Sequence, residues 1–245
     1  MKDSSNDLSH LNQQIRSLVL KMGVDKIGVA DLTPAKKFIS WQGGPILDPY
    51  LRAISIGIRL SDAVVDSLFY RDTVVALMTY ERHIYGIVNK QLNQIALQVV
   101  RLLQQAGWHA FPIHASQTIQ KAPHHLGVFS HKLAANLAGL GWIGRSCLLI
   151  TPEFGPRIRW ATVLTDVPLP HGTPKKNKCD DDCNFCVTIC PAQAFTGRQF
   201  DPSEPREARM DANACYQYLE KREEQTGARI FGLCVAACPI GRNKP

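Results

Sequence analysis

The last third of the chain carries seven of its eight cysteines, spaced as Cys179-x3-Cys183-x2-Cys186-x3-Cys190-Pro191, then Cys215, then Cys234-x3-Cys238-Pro239. Thiolates at such spacings ligate iron–sulfur clusters. One tight loop offers three of them to neighbouring corners of a cubane, and a Cys three residues further on points toward a second cluster. The Pro that follows turns the chain. Because Cys-x3-Cys-Pro occurs twice, the two ends can exchange ligands. Cys179, Cys183, Cys186 and Cys238 are expected at one [4Fe-4S] cluster, with Cys190, Cys215 and Cys234 at the other. Electron transfer is the chemistry this implies.

Zinc also takes four thiolates, but its sites usually pair two Cys-x2-Cys units well apart and require neither the four-Cys run nor the repeated Cys-Pro. A disulfide framework fits less well. The N-terminal MKDSSNDLSH has no apolar stretch of a secretory signal, and no apolar run is long enough to span a bilayer. The expected location is the cytoplasm, with thiols reduced. Two departures from the usual cluster pattern stand out. The first gap holds three residues, Asp180, Asp181 and Asp182, where two are common, so that loop must bulge. In the second half, Phe231 stands where a Cys-x2-Cys pair would place a thiolate, leaving the second cluster three cysteines. Its fourth site could be Cys147, a carboxylate or histidine, or nothing. Cys147, in the apolar run Cys147-Leu-Leu-Ile150, also reads as a small buried residue.

The elements that must position these cysteines occupy the longer part of the chain. With 245 residues and 45% hydrophobic composition there is enough chain for one large domain or two modest ones. Leu11, Ile15, Leu18 and Met22 recur at helical spacing, and Lys26 to Ala30 reads as a buried strand. A second helix starts at Thr33-Pro34, and Ala53 to Arg59 alternates as a strand. A long helix is expected from about Val75 to Gln105, with Leu77, Ile84, Val88, Leu92, Ile95, Val99 and Leu102 on one side. Trp108 to Ile113 is a strand, Ser130 caps a helix through Leu137, and strands follow at Cys147 to Thr151 and Arg157 to Thr165, joined by a hairpin turn at Glu153-Phe-Gly-Pro156. Strands separated by helices and ended by a hairpin imply a mixed α/β or α+β domain. The Pro-, Gly- and Lys-rich Pro168 to Lys178 marks a boundary, dividing residues 1–168 from a cluster domain at 169–245. Gly139, Gly141 and Gly144 match Gly-x-Gly-x-x-Gly, but here the glycines follow a helix and enter a strand, the reverse of a dinucleotide fingerprint. They permit close backbone approach, to a packed neighbour or to a flat cofactor.

His131-Lys-Leu-Ala-Ala-Asn-Leu-Ala-Gly-Leu-Gly-Trp-Ile-Gly-Arg145, Leu148-Leu-Ile-Thr-Pro-Glu-Phe-Gly155 and Ala161-Thr-Val-Leu-Thr-Asp166 resemble the epoxyqueuosine reductase family. So do Cys215-Tyr-Gln-Tyr-Leu219 and Lys26-Ile-Gly-Val-Ala-Asp31. The resemblance implies an α+β protein with a nitroreductase-like N-terminal domain followed by a bacterial two-[4Fe-4S] ferredoxin-like domain. It also implies a corrinoid, cobalamin or a relative, between the domains and near Trp142, Ile143, Gly144 and Arg145; spacing alone does not separate a corrinoid from a flavin. Clusters of low potential would reduce the cobalt, while the protein supplies orientation, dryness and a proton. The electron donor would be a low-potential ferredoxin or flavodoxin.

The family's catalytic Asp falls, by ungapped match, on His125, next to His124, and histidine donates protons near neutrality. Tyr80 and Tyr85 are alternative donors, since the related reductive dehalogenases resemble tyrosine users; both also read as core residues of an apolar helix face. The family's helical-repeat segment that helps hold transfer RNA has no counterpart after Cys238, which leaves a small molecule or a tRNA as substrate. Charge does not decide: 17 basic and 11 acidic residues precede residue 171, and 11 and 10 follow. Two functions stand: a reductase with its own substrate, or an electron-transfer module that reductively activates a partner's corrinoid or metal centre.

Overall fold

The computed structural model describes residues 5–70, 73–116, 118–120, 125–229 and 232–242. His124 and Phe231 lie outside the described residues. Helix α1 (Ser5–Lys21) leads to strand β1 (Lys26–Asp31), helix α2 (Lys36–Gly43) and strand β2 (Arg52–Arg59). Helices α3 (Asp62–Asp66), α4 (Val74–Glu81) and α5 (Asn89–Gln105) follow, the last two joined by a π-helical stretch, Arg82–Val88. Next come strands β3 (Ala110–Ile113), β4 (Thr118–Gln120) and β5 (Leu126–Gly127), helix α6 (His131–Leu137), and strands β6 (Trp142–Ile143), β7 (Leu149–Ile150) and β8 (Ile158–Thr165). The cysteine-bearing stretch adds α7 (Phe185–Thr188), α8 (Ala212–Thr226) and α9 (Leu233–Ala236).

The main sheet has the order β1-β2-β8-β3, with every neighbouring pair antiparallel. β2 pairs with β8 along its whole length, from Arg52 opposite Thr165 to Arg59 opposite Ile158. Residues 53–58 are buried throughout, because helices cover both faces. On one face Ile15 and Val19 of α1 and Leu92, Ile95, Val99 and Leu103 of α5 meet Ile54, Ile56 and Val163. On the other, Ile39 of α2 and Ala134 of α6 meet Ala30, Ala53 and Leu164. The architecture is α+β. Among the described residues no helix is long and apolar enough to cross a membrane.

Local expectations needed four corrections. The helix expected from Val75 to Gln105 has its apolar face but is interrupted by the π-helical turns. Thr33-Pro34 opens a single 3-10 turn, and α2 starts only at Lys36. The strand expected from Cys147 shrinks to Leu149–Ile150, because Cys147 has φ +54°, outside the extended region. The turn between Thr151 and Gly155 is present as an isolated bridge, yet it does not join a hairpin: β7 pairs with β6, and β8 with β2 and β3. That turn packs on the cysteine-bearing stretch instead. A Cβ on Gly155 (φ +53°) would stand 1.8 Å from the Ile240 carbonyl oxygen, and one on Gly241 (φ +75°) 1.9 Å from the Phe154 carbonyl carbon. Two glycine backbones interlock there, three residues past Cys238.

Three further contacts fasten the C-terminal elements to the core. Leu233 and Ala236 of α9 are buried in the cluster formed by α1, α5 and the sheet. Fully buried Arg157 places Nη1 3.3 Å from Asp62 Oδ1 and Nη2 2.6 Å from Asp66 Oδ1, and Nη2 also donates to the Ala236 carbonyl at 3.2 Å. The segment expected as a boundary is without helix or strand but is tied down, since the Gly172 N–H donates to the Val29 carbonyl at 2.9 Å. A buried guanidinium that loses a carboxylate partner is costly. Asp66→Ala is expected to lower the unfolding free energy by about 2 kcal/mol, read from the denaturant midpoint, the figure lying below the fully buried case because Asp66 is partly exposed.

Candidate metal centre

The structure brings four of the seven cysteines around one small cavity. Cys179, Cys183, Cys186 and Cys238 line it, with Gly144 and Ile150 as part of the wall. The extra residue of the first gap is taken up by a turn in which the Cys183 N–H donates to the Asp180 carbonyl at 3.1 Å. Arg145 clamps that turn. Its Nη2 donates to the carbonyls of Asp181 (2.8 Å) and Asp180 (3.3 Å), and its Nη1 donates to the Gly197 carbonyl. Gly144 must lack a side chain, because a Cβ there would lie 2.8 Å from Ile150 Cγ1 and 3.3 Å from the Cys179 sulfur. Cys179 itself donates its N–H to Asn177 Oδ1 at 2.9 Å.

Cys190, Cys215 and Cys234 form a second group, drawn from the end of the first loop, from α8 and from α9. The Ala194 N–H points at the Cys190 sulfur, 3.5 Å away. Cys215 lies in the first turns of α8, whose N-cap Asp211 accepts from the Ala214 N–H at 2.9 Å. Burial, then the sulfurs of Cys215, Cys190 and Cys186, push the Cys234 thiol up to about 12. Cys215 is raised by burial and by Cys190 and Asp211. In the first group burial, with Cys183 and Cys179, lifts Cys186 to about 11, while Arg145 pulls the other way; burial raises Cys238 to about 12. Thiols crowded in this way ionise only beside a strong cation. Among the described residues no three His, Cys, Asp or Glu side chains converge as a single ion would require. The sulfurs surround space instead of meeting at a point.

Cys147 does not line the first sulfur cavity. It is buried, and its carbonyl accepts from Lys132 Nζ at 2.5 Å. The other expected site residues are dispersed. Gly144 and Arg145 line the first sulfur cavity, while Trp142 and Ile143 are buried behind it. Of the two readings of the glycines, contact with protein holds for Gly141 as well, whose Cβ would be 2.1 Å from the Ile150 carbonyl oxygen. The Trp142 indole N–H and Arg145 Nε are nonetheless buried without an acceptor. His125 stacks on Tyr216 of α8, with ring centroids 4.1 Å apart, and its Nε2 lies 3.2 Å from Asn213 Oδ1. Tyr85 lies on the π-helical stretch with the Arg159 guanidinium 4.9 Å from its ring centroid. Tyr80 is sealed in the core, and burial raises its hydroxyl far above the usual phenol value. A larger opening, about 530 Å³ between Met22 and Gly86–Gln94, contains none of the expected residues.

Spacing could not reveal the clamp by Arg145, which joins residues 35 and 52 positions away, nor the bond from Arg157 to α9. Arg145→Ala removes the clamp without touching a cysteine. Hydrogen exchange at residues 179–186 is expected to accelerate by roughly tenfold or more, with α5 unchanged.

No protein-family model matches the chain. Epoxyqueuosine reductases of Bacillus anthracis and Bacillus cereus are 30% and 22% identical to it over 269 residues, covering 95% of this chain. The chain spans 65% of the length of each. Among solved structures, a reductive dehalogenase whose structure suggests a mechanism for B12-dependent dehalogenation superposes on 94% of this chain and 31% of its own, with TM-score 0.68 and 21% identity. An epoxyqueuosine reductase bound to an epoxyqueuosine-modified tRNA-Tyr stem loop superposes on 97% of this chain and 67% of its own, with TM-score 0.57 and 17% identity. Over nearly its whole length the chain is thus similar, in sequence and in fold, to epoxyqueuosine reductases.

Proposed function

We propose that the protein is an iron–sulfur reductase that passes electrons through two clusters to a corrinoid, and so reduces a small or RNA-borne substrate. In this reading residues 1–168 form a nitroreductase-like domain for corrinoid and substrate, and residues 169–245 a two-cluster ferredoxin-like domain. The observation that carries it is the sorting of the cysteines: Cys179, Cys183, Cys186 and Cys238 face one cavity, while Cys190 is held with Cys215 and Cys234. Reciprocal exchange between the two Cys-x3-Cys-Pro ends produces that sorting, and zinc does not call for it. The donor set fits clusters, since half-buried sulfurs that raise one another require cationic iron to stay ionised.

The fit to a corrinoid rests on the orphaned donors of residues 142–145. A cofactor with polar rim groups would give the Trp142 N–H and Arg145 Nε the acceptors that the protein lacks. Bound there, a corrinoid supplies a strongly reducing, nucleophilic cobalt. The chain's own residues do the rest. Gly144 and Arg145 bring the backbone of this segment against the first sulfur group, where it would stand between a cluster and a corrinoid. Ile143 packs on Leu149, Ile158 and Trp160 and keeps water out. His125, held by Asn213 and Tyr216, offers a ring nitrogen for proton delivery. A low-potential ferredoxin or flavodoxin would donate the electrons, in the cytoplasm. The relative bound to a tRNA stem loop supports an RNA-borne substrate, and the dehalogenase likeness a small one.

Protein purified without oxygen is expected to contain iron and sulfide and to bind added cobalamin, with a change in the cobalt electron paramagnetic resonance signal. Cys238→Ser should remove the first cluster's signal, whereas Cys147→Ser should leave the iron content unchanged. Zinc in place of iron would sink the proposal.

A further inference from the structure

Given the two-cluster reading, on which this inference rests, reduction of the first cluster adds one negative charge inside a cavity walled by protein. A cation fixed in that wall favours the reduced form and raises the potential. Arg145 is the charged side chain among the described residues that line the cavity, where it stands with Cys179, Cys183, Cys186 and Cys238. Its side chain is 14% exposed, so water screens it little.

The partners of the guanidinium decide how much of its charge reaches the cavity. An arginine against a carboxylate presents little net charge, as at Arg157, whose Nη2 is 2.6 Å from Asp66 Oδ1. Arg145 is held differently. Its Nη1 donates to the Gly197 carbonyl and its Nη2 to the carbonyls of Asp180 and Asp181, all neutral acceptors. The carboxylate it approaches, Asp181 Oδ1, is 3.9 Å away on a side chain that is 99% exposed, where solvent weakens the pairing. Its Nε is buried and donates to no protein atom. Lys178, beside Cys179, is exposed and screened. The bulge of the long first gap thus supplies carbonyls that fix the guanidinium without cancelling it. Its charge already acts on a cavity sulfur, pulling Cys186 down against burial.

We propose that Arg145 tunes the first cluster, holding its reduction potential above the value the same four thiolates would give without the guanidinium. The electron comes from the low-potential ferredoxin or flavodoxin, and no bond forms or breaks. Two substitutions separate charge from clamp. Arg145→Gln removes the charge and keeps an amide donor; Arg145→Lys keeps the charge but cannot hold the carbonyls in a planar fork. Wild-type and variant proteins, reconstituted without oxygen, are assayed for iron and sulfide and titrated through poised potentials by electron paramagnetic resonance. The signal lost in Cys238→Ser identifies the first cluster. In Arg145→Gln the reduced-to-oxidised ratio of that cluster at a fixed potential is expected to fall tenfold or more, a shift of about 59 mV for one electron, with the second cluster unmoved. Arg145→Lys is expected to shift by less than that. If Arg145→Gln leaves the midpoint in place, or Arg145→Lys shifts it by tenfold or more, the assignment is overturned while the two-cluster reading stands. Should Arg145→Gln fail to hold the first cluster, the Arg145→Lys midpoint decides alone. A wild-type protein that binds no iron would overturn both.

Discussion

The cysteine-bearing stretch depends on a cation placed where no water reaches it. Burying a guanidinium costs several kcal/mol unless its donors are met, and Arg157 meets the cost with Asp62 and Asp66 on α3. Its Nη2 also donates to the Ala236 carbonyl, between Cys234 and Cys238. That bond gives direction where the packing of Leu233 and Ala236 gives only proximity. Together with the interlocked backbones of Gly155 and Gly241, it fixes Cys234 of α9 and Cys238 just after it against the core. The spacing between the two sulfur groups is therefore set by the protein core, which suits electron transfer between fixed points.

The chain departs from the usual cluster pattern in two places, and the two pose different problems. One residue too many between Cys179 and Cys183 is a problem of backbone, and Arg145 solves it by donating to the carbonyls of the bulge. A planar guanidinium with several donors can hold two carbonyls at once, where lysine offers a point charge. The same charge lowers the cost of keeping Cys186 ionised. One cysteine too few is a problem of ligand, and only a side chain with a metal-binding atom can answer it.

Much of this was legible in the residue order. The cap at Ser130 and the strand pattern of Ala53–Arg59 act locally, and α6 and β2 form where they were expected, whereas the apolar spacing of Val75–Gln105 survives across α4, a π-helical stretch and α5. Cys179, Cys183 and Cys186 share a cavity because one loop carries them, but Cys238 reaches the same cavity from a distant part of the chain. What the order of residues did not disclose was long-range pairing. The run from Cys147 to Thr165 reads as a hairpin, since its turn residues are right, but Gly155 is spent on Ile240 and the two strands join different sheets. Likewise nothing local marks Gly232 as the seat of a phenol. Its small size shows as a requirement only when Tyr80 is in place.

The placement of His125 ties it to the helix that carries Cys215. A non-glycine residue at φ +46° carries about 1–2 kcal/mol of strain and persists only where its surroundings over-determine it. Here a ring stack on Tyr216 and a contact with Asn213 do so, and both partners lie on α8 beside Cys215. The position of His125 is thereby referred to the helix that carries Cys215. α8 is in turn set by its cap at Asp211, whose N–H donates to the Ala194 carbonyl near Cys190. A shift of α8 would displace the histidine and the sulfur together, so the positions of His125 and Cys215 are not independent in this fold.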